Sequence, residues 1–314
     1  MARSRLDVSG TGPAVTALAV ICDSTANIDA DTAEAYSERL GGLFAIVDLS
    51  VTVGDDSRAD NEWTATEVCA GMASGLAVTT SLASPEQFST AISEMAEAGA
   101  EAVLVLTMSA QLSGTHASAQ QAAGEAPVPV HVVDTQLTSA GMAGAVALAV
   151  AGAQREVPVE SLAGEVTDWC LAETRTFFMP DSLEYLRRGG RIGAASSLVG
   201  RALSITPVLG LRDGTVTPLA RVRTRARAVD RVINLVTESA YEFSELYPER
   251  GQEVVLLHAE ATFDEASDTA HRLAAAVRDA DLPDGAQFRQ AVLSTVVTAH
   301  VGPGSTGLVV QTTP

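Results

Sequence analysis

Short apolar runs alternate with amphipathic stretches through the first half of the chain. Residues 17–22, 44–53, 102–107 and 130–133 read as buried parallel strands. Residues 31–40, 64–74, 85–98, 114–123 and 140–153 carry the wider apolar spacing of helices. A βα series of this kind predicts an α/β fold with a doubly wound, mainly parallel sheet. Such sheets take ligands just beyond the carboxyl ends of their strands. There the sequence sets Asp23-Ser24-Thr25, Thr107 with Ser109, and Asp134-Thr135. Ser84-Pro85-Glu86-Gln87 combines a capping serine, a proline at the first helical position and a reciprocal glutamine. That start places Thr80-Ser81 in the loop before a helix N-terminus.

The second half has a different rhythm. Residues 174–180 predict a strand, and 183–188 a helical turn closed by Gly189-Gly190. Residues 206–211 and 215–220 flank Asp213-Gly214, the signature of a hairpin. Helices near 223–237 and 263–280 and strands near 253–258, 287–293, 296–299 and 308–311 complete the chain. This predicts an α+β domain with a mixed sheet. The expected division is an extension without fixed structure over 1–15, an α/β domain over 16–165 and an α+β domain over 166–314.

Composition narrows the chemistry. The 314 residues carry 39 acids and 20 bases, a net charge of −19, which argues against a nucleic-acid partner. All 20 bases are arginine. Without lysine the chain can form no imine intermediate, no Walker-type phosphate loop and no kinase strand lysine. Ten of the arginines lie between Arg187 and Arg231 against only Asp213 and Asp230, so that segment carries +8 and the remainder −27. Either a solvated face or a docking surface for an acidic or phosphorylated partner accounts for this, with Arg221-Val222-Arg223-Thr224-Arg225 the leading candidate.

Cys22, Cys69 and Cys170 are odd in number and lack metal spacing, as expected in a reducing, cytoplasmic setting. His116, His131, His258 and His271 have no second ligand at metal spacing, and no metal or cofactor is expected. The apolar stretch ending at Cys22 has Ile21 where a lipoprotein signal needs a small residue, and 140–153 is too short to cross a bilayer. Gly302 to Gly307 spells G-x-G-x-x-G. A β-type run and the end of the sequence follow, however, rather than a helix and a distant acid, so a dinucleotide loop is not expected.

Two clusters nearly 190 residues apart stand out: Leu112-Ser113-Gly114-Thr115 and His300-Val301-Gly302-Pro303-Gly304. Hydroxyls, glycines and one histidine offer neutral donors and close backbone approach to a single anionic head group, without the cost of burying a full charge. A carboxylate-binding pocket is one reading. Another is a serine hydrolase of acyl esters using Ser113 and His300, with Asp23 as third member, although no G-x-S-x-G elbow surrounds any serine.

Several motifs, in order, resemble the DegV family of bacterial fatty-acid-binding proteins, the lipid-binding component of fatty acid kinase. They are Cys22 to Asn27, Thr80-Ser81, Leu112 to Thr115, Val133 to Thr135, Leu183 to Gly193, Arg223, and His300 to Gly304. The resemblance runs from about residue 17 to the end. It implies an N-terminal α/β and a C-terminal α+β domain with one long-chain fatty acid between them. It also implies a carboxylate held by Thr80, Ser81, Ser113 and His300, and presentation of that acid to a separate ATP-dependent kinase that forms the acyl phosphate. Asp23, Ser24, Thr25, Gly114, Thr115 and Gly302 are then candidate pocket-lining residues, and Arg191, Arg223 and Arg225 candidate partner-docking residues. Leu82, His116 and Val301 depart from the family pattern at positions that bear on chain preference.

Overall fold

The structure is a computed structural model, and it describes residues 16–198, 205–260 and 262–313. The extension expected over 1–15 lies outside the described residues. β1 (Leu18–Asp23) leads through a 3-10 turn to α1 (Ala30–Arg39) and β2 (Phe44–Val47). There follow β3 (Ser50–Val53), β4 (Asp56–Ala59), α2 (Ala65–Ala73), β5 (Val78–Ser81), α3 (Pro85–Glu97) and β6 (Ala102–Thr107). Then come α4 (Thr115–Ala123), β7 (Val130–Asp134), α5 (Ser139–Ala153) and α6 (Val159–Ala172).

Strands in the order β2-β1-β6-β7 form a fully parallel sheet. β1 and β6 are central and buried at every residue, which is why they appear in the sequence as unbroken apolar runs.

The remainder comprises β8 (Thr174–Met179), α7 (Glu184–Arg188), β9 (Thr206–Arg212), β10 (Thr215–Val222) and α8 (Arg225–Leu246). β11 (Gln252–His258), α9 (Asp268–Asp279), β12 (Gln287–Val292), α10 (Thr295–Val301) and β13 (Thr306–Thr312) end it. Six strands pair in the order β10-β9-β8-β13-β11-β12, antiparallel except for β11 with β12. Asp213 and Gly214 turn the β9–β10 hairpin with φ of 49° and 73°, as a two-residue turn of the I′ kind requires.

α5 packs against strands of both sheets, β1 and β6 on one side and β8 and β13 on the other. It is therefore apolar all round, with little amphipathic asymmetry. Gly144 makes that closeness possible, since a Cβ there would lie 2.5 Å from Trp169 and 2.8 Å from Gln311.

Four elements differ from the sequence reading. The run 44–53 is two strands in two sheets, because the chain leaves the parallel sheet after Val47. β3 then joins β4 and β5 in a small antiparallel sheet. Thr80-Ser81 accordingly lies in β5, with Thr80 opposite Val51, and not in a loop. The boundary drawn at 165/166 falls inside α6, which packs on β6, β7 and α5, so the change of sheet comes at Thr174.

The fourth difference matters most for the site. Residues 296–299 belong to α10, a helix, and not to a strand. β-branched residues disfavour a helix only by tenths of a kcal/mol each, roughly. Three caps outweigh that preference here. Ser294 Oγ accepts from the Val297 amide at 3.2 Å, while Asp60 Oδ1 accepts from the Thr295 and Val296 amides at 2.9 and 3.2 Å.

Candidate functional site

A cavity of about 360 Å³ opens between the small sheet, the start of α4, α10 and the inner face of the six-stranded sheet. Thr80, Ser81, Leu82, Ser113, Gly114, Arg191 and His300 line one part of it. Ser81, Leu82 and Gly114 are exposed, so this part is the mouth. The walls behind are mostly apolar and buried, with Leu49, Met108, Phe177, Leu186, Leu257 and Val296 among them. A volume in the range of roughly 300–1,000 Å³ suits one small organic molecule.

The structure brings Thr80, Ser113 and His300 to one cavity from β5, the loop before α4 and the last turn of α10. Thr80 Oγ1 and His300 Nε2 share a 2.9 Å hydrogen bond. Burial, with a smaller contribution from the Arg191 cation, pulls the His300 pKa down to about 4, so the ring is neutral at pH 7. Its Nδ1 is buried without a partner. Whichever way the shared proton points, one donor stays free. If Thr80 donates, the ring N–H is at Nδ1; if Nε2 donates, the Thr80 hydroxyl proton is available.

Ser113 Oγ accepts from the Thr115 amide at 3.2 Å and shares a hydrogen bond with Thr115 Oγ1 at 2.9 Å. Gly189 completes the arrangement. A Cβ there would lie 2.3 Å from His300 Nδ1, so only glycine lets the ring occupy this position without displacement.

Asp60, which nothing in the sequence reading singled out, fixes α10 and with it His300. Besides the two helix amides, its Oδ1 accepts from Thr295 Oγ1 at 2.6 Å, and its Oδ2 accepts from Ser24 Oγ at 2.8 Å. A carboxylate 235 residues upstream in sequence is invisible to local capping rules.

Several expected site residues serve elsewhere. Asp23 does not line the cavity. Its Oδ1 accepts from the Thr25 amide and hydroxyl at 3.0 and 2.6 Å, and its Oδ2 accepts from the Met108 amide at 2.6 Å. Burial nonetheless pushes Asp23 up to about 6. Ser24 joins Asp60 to the Leu49 amide, and Thr25 is buried against Asp23. Thr115 reaches the site only through Ser113. Gly302, at φ 82°, ends α10 where the Tyr185 ring leaves no room for a Cβ, which would lie 2.1 Å from it.

The hydrolase constellation is not assembled. His300 bonds Thr80, Ser113 bonds Thr115, and Asp23 is committed to Thr25 and Met108, so no carboxylate orients the imidazole.

Arg191 is a correction of a different sort. Expected on a docking surface, it lies in the cavity wall, where its Nε donates to the Leu112 carbonyl at 2.9 Å and Nη1 to that of Gly189 at 2.6 Å. It therefore ties the Ser113 loop to the end of α7, where Gly189 lies against the His300 ring. The basic segment is also less bare than its composition suggests. Arg187 and Arg188 pair with Glu184, and Arg225 pairs with Asp181 and donates to Thr269 Oγ1 at 3.3 Å. Arg223 is exposed and forms no ion pair among the described residues. Arg201 lies outside the described residues.

No described helix is long and apolar enough to cross a membrane, and among the described residues no His, Cys, Asp and Glu cluster could hold a metal ion.

Comparison with known proteins gives a consistent picture. The family model for an uncharacterised protein, DegV family, matches residues 17–313. A DegV domain-containing protein of Streptomyces coelicolor is 37% identical over 296 residues, covering 94% of this chain and 98% of that protein. A Thermotoga maritima protein named a fatty acid-binding protein is 29% identical over 235 residues, 74% of this chain and 76% of its own. The solved structure of a DegV family protein from Thermus thermophilus, described for its fatty acid binding, superposes with a TM-score of 0.80. It is 29% identical, with 94% of this chain and 99% of the other covered.

Proposed function

Because the chain belongs to the DegV family, we propose that its cavity holds one long-chain fatty acid, with the acid group at the mouth and the tail inside. Thr80, Ser113 and His300 donate to the carboxylate. The observation that carries this reading is the neutral His300–Thr80 pair, uncharged imidazole and hydroxyl groups set beside Ser113 at the mouth of a largely apolar cavity. Tail burial supplies affinity at about 0.8 kcal/mol per CH₂, and the donors fix which end faces out. Arg191 adds a positive field that favours an anion there, although two of its nitrogens are engaged by carbonyls.

The protein in this reading is a carrier and not a catalyst. With no lysine and no phosphate loop, the acid at the mouth meets ATP on a separate kinase, which forms the acyl phosphate. Arg223, exposed on the loop before α8, belongs to the docking face for that partner.

Stearic acid binding followed by thermal shift and isothermal titration tests the first part, with one site per chain expected and a titration without saturation contradicting it. The partner role is tested by charge reversal at Arg223. R223E is expected to keep its bound lipid while losing kinase-dependent acyl phosphate formation; unchanged coupling would remove Arg223 from the interface.

A further inference from the structure

In the same cavity, three hydroxyls have no partner among the described residues. Thr138 Oγ1, Ser139 Oγ and Thr176 Oγ1 are buried, line the cavity and make no hydrogen bond. Ser139 and Thr176 are only 2% and 9% exposed, whereas Leu82 at the mouth is 45% exposed, so these two mark the inner end, with half-buried Thr138 next to Ser139. Two separate elements contribute: Thr138 and Ser139 open the 15-residue helix α5, and Thr176 lies in the middle of β8.

The start of α5 is itself incomplete. Thr138 stands at the N-cap position, yet its side chain makes no capping hydrogen bond. Ser139 holds a φ of 55°, a conformation costly for a residue with a side chain. Buried hydroxyls normally find partners, and those that do not weaken the fold. An uncapped helix N-terminus presents amides of the same polarity toward the same region. Among the described residues, the only side chains lining the cavity that could carry a positive charge are Arg191 and His300, both in the mouth cluster. A second carboxylate at the inner end would be buried without a counter-charge. A neutral oxygen fits.

We propose that the inner end of the cavity is a second polar subsite, and that it accepts an oxygen carried along the acyl chain. An oxygenated long-chain acid, bearing a hydroxyl or keto group away from the carboxyl end, is then the preferred ligand over its plain counterpart. This rests on the reading of the cavity as a fatty-acid site. The discrimination follows from polar groups left unpaired when the oxygen is missing, the same asymmetry by which sites built for a hydroxyl reject the analogue lacking it.

The test compares stearic acid with its mid-chain hydroxy and ω-hydroxy derivatives by isothermal titration. The delipidated wild type, Thr176→Val and Ser139→Gly are titrated side by side. Valine matches threonine in shape and suits a strand, and glycine relieves the positive φ while removing the hydroxyl. In the wild type one hydroxy acid is expected to bind at least about fivefold more tightly than stearic acid, the worth of one hydrogen bond. That ratio should fall toward one in both variants. Equal affinities in the wild type, or a ratio untouched in both variants, would overturn the subsite and leave the hydroxyls to a trapped water. Should none of the three acids bind, the fatty-acid reading itself has failed and this inference with it.

Discussion

Asp60 and His300 sit at opposite ends of one seven-residue helix, and the protein treats them in opposite ways. Asp60 is buried with five hydrogen bonds to its carboxylate and carbonyl oxygens, from Ser24, Thr295 and Val296. His300 is also largely buried, but one nitrogen bonds Thr80 and the other bonds nothing. Fully paired polar groups fix geometry, whereas those left open toward a cavity are poised for something that is not protein. The same contrast separates Asp23, closed on Thr25 and Met108, from the open hydroxyls of Ser139 and Thr176. This division explains why the expected pocket-lining acid turned out to be structural.

Breaking the closed end should do the most damage. Asp60→Ala strands two helix amides and the Ser24 hydroxyl, and leaves Thr295 Oγ1 only the carbonyl of residue 60; it is expected to lower unfolding free energy by about 3–4 kcal/mol, measured by denaturant titration. Ligand affinity should fall as well, because α10 carries His300. A loss below about 1 kcal/mol would mean that Asp60 is not what holds the helix.

Acidification sets the two kinds of buried group against each other. His300 has a folded pKa near 4, below its ordinary 6.5, so the stability it contributes is present above about 6.5 and lost as pH falls toward 4. Asp23, raised from 3.8 to about 6, contributes stability that is present below 3.8 and lost as pH rises through 6. His300→Gln should therefore gain on the wild type by up to about 3 kcal/mol between pH 6.5 and 4. Asp23→Asn should gain in the opposite direction over pH 4 to 6. Stability curves of matching slope for the two variants would refute the assignment.

The open end is probed by smaller changes. Gly189→Ala drives a Cβ into the His300 ring and should weaken fatty acid binding by roughly tenfold or more, about 1.4 kcal/mol, with the fold intact by circular dichroism. Ser113→Ala should cost about fivefold, one hydrogen bond to the carboxylate. The Arg225–Asp181 pair, exposed on the outer surface, should contribute less than about 1 kcal/mol in a double-mutant cycle.

Much of the parallel sheet was legible because its strands are buried on both faces and so appear as solid apolar runs at Leu18–Asp23 and Ala102–Thr107. The hairpin at Asp213-Gly214 was legible from its turn chemistry. What stayed hidden were places where distant residues decide local structure. The 44–53 run does carry a clue, since from Val47 onward burial alternates through Leu49, Val51 and Val53, the period of a one-sided sheet. α10 carries only the weak clue of Ser294, because Asp60 supplies the rest from 235 positions away. Thr80, Ser113 and His300 were named from their residue types and from the family resemblance. Their partners Gly189, Arg191 and Asp60 required coordinates, because each acts through a neighbour that sequence spacing does not reveal.

The central claim is that a neutral hydroxyl–imidazole mouth retains one acyl acid per chain. Denaturing extraction of the freshly purified protein, followed by quantitative mass spectrometry, tests it most directly. Close to one long-chain acid per chain is expected from the wild type, with markedly less from a Thr80→Val, Ser113→Ala double variant. No acid in the wild type, together with no change in Tm on adding one, would contradict the account.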